Sequence, residues 1–246
     1  MAVRRQMPTA MVSIIIPAYN GAEYLDSALA SIEAQQFADR EVLLVDDGSP
    51  VELKLPAFVR YFRQPHQGQA AARNRGVREA QGEILAFLDT DDMWTPGHLS
   101  RLQAGLETHP EAGIAQGRMR QLCGDRISGA YRMPYIQSCM FRREVFEICG
   151  GLDETMPLGE DYDLMYRCWE KDIVKINVDE VSLIYRRHGR NTSNGNNLRS
   201  HLMVMKRRVD RIRAGLVDPT EKRSFPFRDY MGDPEGASQW TDWSAS

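Results

Sequence analysis

The chain has 246 residues, 42% of them hydrophobic and 26% charged, with a formal net charge of -3. That length suits one sizeable α/β domain, or one domain with an appendage, in an ordinary globular composition. The charge gives no support for general nucleic-acid binding, and the strongest apolar run, Val12 to Ile16, is far too short to span a membrane.

The β-branched run Val12-Ser13-Ile14-Ile15-Ile16, closed by Pro17, predicts a strand. Asn20-Gly21 makes a turn, and Ala22 to Gln36 carries Leu25, Ala28, Leu29 and Ile32 at helical spacing. Glu41 to Asp46 predicts a second buried strand ending in Asp46-Asp47-Gly48-Ser49, and Val59 to Arg63 a third. Gln67 to Ala80 reads as a helix closed by Gln81-Gly82. Ile84 to Asp89 is then a buried strand running straight into acid, Asp89-Thr90-Asp91-Asp92, before a helix opened by Pro96 and ending near His109.

Strand and helix thus alternate four times, the pattern of βαβ units and a largely parallel sheet. Ligands of such sheets bind outside the carboxyl ends of the strands, and both acidic clusters lie there, on one rim. Three adjacent carboxylates repel one another unless a cation binds. In an extended chain Asp89 and Asp91 share a face while Asp92 points away. Hard divalent cations such as Mg²⁺ or Mn²⁺ suit such an oxygen cluster; a plain acidic loop or helix cap is the alternative. No GxGxxG follows the first strand and no GxxxxGK[ST] exists, which disfavours a dinucleotide oxidoreductase and a P-loop nucleotidase.

After about residue 112 the alternation loosens. Gln137 to Phe141 predicts a strand, Arg143 to Ile148 a short helix, and Gly150-Gly151 a sharp turn. Glu160-Asp161-Tyr162-Asp163 opens a helix through Trp169, followed by short strands at Ile173 to Val178 and Ser182 to Arg186. Leu198 to Ala214 is a basic helix with Leu202, Met205, Val209 and Ile212 on one face. From Leu216 the chain turns polar and proline-rich, and a loosely docked or disordered tail is expected. Two arginines, Arg4 and Arg5, precede no apolar signal core, so a secretory leader is not expected. Cys123, Cys139, Cys149 and Cys168 form no CxxC pair, and buried free thiols in a reducing cytoplasm are the expectation.

Val12 to Asn20, Val45-Asp46-Asp47-Gly48-Ser49, Ala72-Arg73-Asn74-Arg75-Gly76, the Asp89 to Asp92 cluster, Gly150 to Glu154 and Gly159 to Leu164 together resemble the family 2 glycosyltransferases of the GT-A fold. The resemblance covers roughly residues 11 to 195. It implies a Rossmann-like α/β sandwich with a central, mostly parallel sheet flanked by helices. Residues 1–215 would form this domain, its nucleotide-binding half at about 11–110 and its acceptor-side half at about 111–215, with 216–246 as tail. The implied reaction is inverting transfer of a sugar from a nucleotide diphosphate donor to a hydroxyl acceptor, with Mn²⁺ or Mg²⁺.

A metal held by Asp91, with Asp89 or Asp92 assisting, would act on the leaving group. By that resemblance Asp89 and Asp91 are the paired acids, one meeting the metal and the other the ribose. Pro17, Ala18 and Tyr19 line the base pocket. Asp46 or Asp47 accepts a base N–H, favouring UDP or dTDP; a plain turn is the alternative for Asp47-Gly48-Ser49. Arg73 reaches the phosphates or base, whereas Arg75 and Arg78 fit a solvated helix face. Asp161 is the catalytic base, and the helix N-terminus is expected to keep it ionised and weakly basic, with Glu160 and Asp163 serving the helix dipole.

His188 is a structural residue or a metal or diphosphate ligand that closes over the donor with Arg186 or Arg187, and Gly189 to Asn197 suits a mobile lid. Trp94 and His98 border the sugar or acceptor, or belong to the core. The acceptor is open. Lys206-Arg207-Arg208 with Arg211 and Arg213 suits either an anionic membrane or a solvated face, so the expected location is cytoplasmic, with peripheral membrane association at the inner face as an option. Two other readings compete: an inactive nucleotide-sugar-binding protein, and a nucleotidyltransferase. The latter lacks its Gly-rich phosphate loop and lysine after the first strand.

Overall fold

Strand β1 (Val12–Ala18) is buried at all seven positions, so its sequence is a continuous apolar run rather than an alternation. Ile14 and Ile16 enter one core layer and Ile15 the other, on opposite faces of the sheet. The computed structural model describes residues 11–191 and 197–243. Most of the Gly189 to Asn197 stretch expected to form a lid therefore lies outside the described residues.

Helix α1 (Ala22–Glu33), strands β2 (Arg40–Asp46) and β3 (Val59–Arg63), helix α2 (Gln69–Glu79) and strand β4 (Ile84–Phe87) follow in order. The strands pair in parallel in the order β3-β2-β1-β4. Helix α2 packs closely on β1: a Cβ at Gly76 would come within 2.3 Å of Ile15 Cγ2. That approach brings Arg73, one turn earlier, to the carboxyl rim.

β4 is shorter than expected. Leu88 still donates its N–H to the Ile15 carbonyl at 3.1 Å, but the Asp92 N–H then folds back to the Asp89 carbonyl at 3.2 Å. The acids therefore sit on a turn, not on an extended strand. Asp92 does not point away: one oxygen of each of Asp89, Asp91 and Asp92 falls within 4.8 Å of the others.

Beyond the turn come β5 (Met93–Trp94), α3 (His98–Thr108), β6 (Ala112–Cys123), β7 (Arg126–Ser128), a 3-10 turn at Ile136–Ser138, β8 (Cys139–Arg142), α4 (Arg143–Cys149), α5 (Glu160–Glu170), β9 (Val174–Arg186), α6 (Asn197–Arg213), α7 (Phe227–Met231) and β10 (Trp240–Asp242). β8 lies antiparallel between β4 and β6, which runs parallel to β9; β7 and β10 extend the edge in antiparallel fashion. The result is an α/β fold whose central sheet is mostly parallel and flanked by helices.

Several elements differ from the sequence pattern. α3 starts at His98 rather than at Pro96, because β5 pairs with β9 and the Thr95 N–H is taken by the Ser182 carbonyl at 3.1 Å. β9 is one strand, not two. β6 was hidden by its polar residues, which find partners only across the fold: Gln116 accepts from Lys175 Nζ at 2.7 Å and donates to the Ser138 hydroxyl at 3.2 Å. The segment after Leu216, expected to be loose, is docked. Tyr230 of α7 is 2% exposed, Trp169 donates its indole N–H to the Phe225 carbonyl at 2.9 Å, and β10 pairs with β7. No described helix is long and apolar enough to cross a membrane.

Candidate active site

At the carboxyl end of β2 both acids are buried and heavily partnered. Asp46 Oδ1 accepts the Ser49 N–H at 2.8 Å, and its Oδ2 accepts the Tyr61 hydroxyl at 2.8 Å. Burial opposes its charge, but the hydrogen bonds from Ser49 and Tyr61 and the nearby Arg63 hold its pKa below the usual value. Asp47 Oδ1 accepts from the Gln64 amide at 2.8 Å and the Gln67 N–H at 2.9 Å; its Oδ2 accepts the Gly68 N–H at 2.7 Å and lies 2.8 Å from His66 Nδ1. Gly48 adopts φ 83°, a left-handed conformation suited to glycine, which lets the loop fold back over these donors. Pro17 and Ala18 are buried at the end of β1, and the Ala18 carbonyl accepts the Asp47 N–H at 2.8 Å. Tyr19 is 48% exposed and stacks on His66 at 4.1 Å.

The three acids after β4 are held differently. Arg73, fully buried, donates from Nη2 to both oxygens of Asp89 at 2.7 and 2.9 Å and from Nη1 to Glu160 at 2.7 Å. The Gln137 amide also donates to Asp89. Asp91 Oδ2 lies 2.9 Å from His188 Nε2 and 3.3 Å from the Asn191 amide. Burial and the neighbouring Asp89 raise its pKa. Asp92 accepts the Arg186 N–H at 2.9 Å, while its Oδ2 is buried with no hydrogen-bond partner. Burial, Asp91 and Asp89 push it well above the ordinary carboxylate value.

A cation would relieve this crowding. An unpartnered buried oxygen, two raised acids and an adjacent imidazole make a donor set that fits Mn²⁺ or Mg²⁺. Asp89, in contrast, already has its counterion in Arg73.

Asp161 stands in the first turn of α5, after Gly159 in the left-handed conformation (φ 80°). It is 9% exposed, and its Oδ1 accepts the Tyr162 N–H at 2.8 Å. The helix end does not keep it strongly acidic. Burial and the adjacent Glu160 raise it to about 7, against the opposing pull of Arg73. Asp161 borders a cavity of about 310 Å³ together with Arg73, Asp89, Gln137 and Glu160. Its other wall is aromatic, from Tyr131, Tyr135, Tyr162, Tyr185 and His201. Tyr135 stacks on Tyr185 at 5.4 Å and meets Tyr162 edge-on at 6.1 Å.

The fold thus brings Arg73, Asp89, Glu160 and Asp161 to one cavity, with Asp91, His188 and Arg186 beside it. Arg186 donates from Nε to the Asp91 carbonyl at 3.0 Å and stacks over Tyr24 at 4.9 Å. Arg187 is exposed and reaches Gln121 at 3.2 Å instead. Trp94 and His98 belong to the core. Trp94 is 3% exposed, stacks on His98 at 4.1 Å and donates to the Gln137 carbonyl at 2.8 Å. Gln137 and the tyrosine wall escaped sequence reasoning. Tyrosines at positions 131, 135, 162 and 185 have no shared period, so only folding groups them.

These features define an α/β fold with an acidic rim and a separate cavity acid. Residues 13–153 match glycosyl transferase family 2, more than half of the chain, and the chain belongs to that family. An uncharacterized glycosyltransferase of Nostoc sp. is 38% identical over 112 residues, covering 42% of this chain and 35% of that protein. Uncharacterized glycosyltransferase EpsJ of Bacillus subtilis is 28% identical over 210 residues, covering 72% of this chain and 61% of EpsJ. The chain spans about a third of the Nostoc protein and of a Rickettsia conorii glycosyltransferase that it also matches.

Among solved structures, the Pyrobaculum calidifontis mannosyltransferase PcManGT, in complex with GDP-Man and Mn²⁺, superimposes with a TM-score of 0.67 at 19% identity, over 82% of this chain and 64% of that one. S. aureus TarS 1-349 in complex with UDP-GlcNAc gives a TM-score of 0.63 at 17% identity, over 75% of this chain and 61% of that one. At such identities the likeness is one of fold, the GT-A arrangement.

Proposed function

We propose that this chain transfers a sugar, with inversion, from a nucleotide diphosphate donor to a hydroxyl acceptor. The observation that carries the reading is Asp161, raised to about 7 in a cavity that it shares with the acidic rim. A base whose pKa lies near the operating pH is well matched to proton transfer. The acceptor oxygen attacks the anomeric carbon, its proton passes to the Asp161 carboxylate, and the bond from sugar to diphosphate breaks. Arg73 is bound to Glu160 and Asp89, so its pull on Asp161 only partly offsets burial and leaves that carboxyl basic enough to take the proton.

Asp91, Asp92 and His188 would hold the divalent cation, with Asp89 at its border. When bound it would offset the negative charge of the leaving diphosphate. The base is read beside Tyr19 and Asp47. Of the four donors to the Asp47 carboxylate, His66 is the replaceable one, its side chain being 54% exposed. A base N–H taking its place on Oδ2 favours UDP- or dTDP-sugars.

Thermal-shift titration with UDP, dTDP, GDP and CMP, each with and without Mn²⁺, tests the donor. Stabilisation by UDP or dTDP that needs the metal is the expected result, and a response to GDP or CMP alone overturns the base assignment. Release of nucleoside diphosphate from the matching nucleotide sugar then separates turnover from mere binding. Tight binding with no release in any acceptor mixture would support the non-catalytic reading.

A further inference from the structure

An ordinary surface helix turns its apolar side inward, but α6 divides its apolar residues: Val204 packs inward with Met156 and Tyr166, while most of the others face out. The face against the protein carries arginines. Arg207 reaches Asp153 at 2.9 Å, Arg208 lies 3.3 Å from Glu170, and Arg211 meets Asp163 at 2.7 Å and Glu170 at 2.8 Å. They are three of the five cations that the sequence offered for a membrane, and all three are occupied by acids on and near α5.

The apolar row faces out. Leu198, Leu202, Met205 and Val209, spaced four, three and four residues apart, are 74%, 61%, 37% and 43% exposed. The helix closes with Gly215 in the left-handed conformation, its N–H on the Ile212 carbonyl and the Leu216 N–H on the Arg211 carbonyl, both at 3.0 Å. That turn leaves Leu216 75% exposed at the end of the row. Exposed Arg199, Lys206 and Arg213 edge the row on one side; Asp210, the helix's one acid, lies 3.7 Å from Lys206 in a water-exposed pair and leaves the edge net positive. A contiguous apolar patch with a polar rim marks an interaction surface.

We propose that α6 seats this protein on an anionic lipid surface, with the leucine row in the headgroup–acyl boundary and Arg199, Lys206 and Arg213 at phosphate level. Charge decides between occupants. A second copy would bring the same three cations against this row, with one carboxylate per helix to meet them. An anionic lipid surface complements all three. Size points the same way: a specific protein interface uses about 20–30 residues a side, far more than this row supplies.

The placement also has a consequence for the site. Ser200 and His201 of the same helix line the cavity that holds Asp161, so the docked surface lies beside the cavity mouth. An acceptor carried on a lipid would arrive there. The docking itself is independent of which donor is used.

Co-sedimentation with vesicles of phosphatidylcholine, alone or mixed with phosphatidylglycerol, tests it on the intact chain. The wild type should pellet with the anionic vesicles, and the Leu202→Glu, Val209→Glu double variant should partition about tenfold more weakly. Lys206→Glu with Arg213→Glu should abolish the preference for anionic over neutral vesicles. Both pairs lie outside the cavity, and circular dichroism checks their folding; Leu202→Ser, Val209→Ser serves if the acidic pair perturbs it. Equal pelleting of wild type and apolar-row variants overturns the proposal, as does no pelleting of the wild type. So does a wild-type dimer in sedimentation velocity that the row variants abolish, which would assign the face to a second copy.

Discussion

The end of β2 and the start of α5 treat buried carboxylates in opposite ways. At the β2 end, Asp47 has four donors and Asp46 is held below its usual pKa by Ser49, Tyr61 and Arg63. At the α5 end, Asp161 is about as buried but has one backbone donor and the adjacent Glu160, and it rises to about 7. Burial opposes the charge of both but weighs more on Asp161, so burial and the supply of donors and cations together decide the charge. At the end of β2 the donors favour the charged form of Asp46 and keep a loop in shape. At the start of α5 burial and Glu160 favour the protonated form of Asp161.

The largest test of that contrast is Asp161→Asn. It should lower transfer about 10²–10⁴-fold while leaving nucleotide binding within a few-fold, as measured by turnover and by nucleotide titration. A fully active variant removes Asp161 as the base.

Next comes Arg73→Met, which strands Asp89 and Glu160 without their shared cation. A loss of about 3–5 kcal/mol is expected, seen in thermal melting as a fall on the order of 10 °C. A melt unchanged from wild type would mean that those acids do not depend on it.

A pH series gives a smaller effect, with two readouts of opposite sign. Asp161 must be ionised to accept a proton, so transfer should fall about tenfold per pH unit below about 7. Stability runs the other way. A carboxyl raised from 3.8 to about 7 on folding binds its proton more tightly in the native state. The native state therefore loses stability as pH rises through that window. Asp161→Asn should melt higher than wild type at pH 8, by a few degrees, and the gap should close near pH 4. A gap that stays constant with pH contradicts the raised value.

The smallest effect belongs to Arg190→Ala. Arg190 pairs with Glu23 at the surface, their side chains being 68% and 54% exposed. Chemical denaturation should show a loss of under about 1 kcal/mol, because water screens such pairs. A larger loss would mean that this contact supports the adjoining His188 and Asp91.

Much of the stretch from residue 11 to about 110 was readable from residue order. The strand at Val12, the helix from Ala22 and the acids at the ends of β2 and β4 all follow from short-range periodicity, and they appear where expected. The exceptions had specific causes. The Asp92 side chain was assigned to the wrong direction because a turn replaced an extended strand. Asp161 was expected to be weakly basic because the helix end was weighed and burial was not visible. β6 was passed over because Gln116 looks like a surface residue until Lys175 and Ser138 surround it. The apolar row of α6 reads as core by its spacing, yet the fold turns it outward.

By itself the sequence determined the alternation of strand and helix, the parallel sheet, and the presence of acids along one rim, since these depend on neighbours a few residues apart. Which acids are neutralised was decided only by the tertiary structure. Arg73 meets Glu160 across 87 residues, and His188 meets Asp91 across 97. A carboxylate's charge depends on what lies within a few ångströms in space, and distance along the chain carries no record of that.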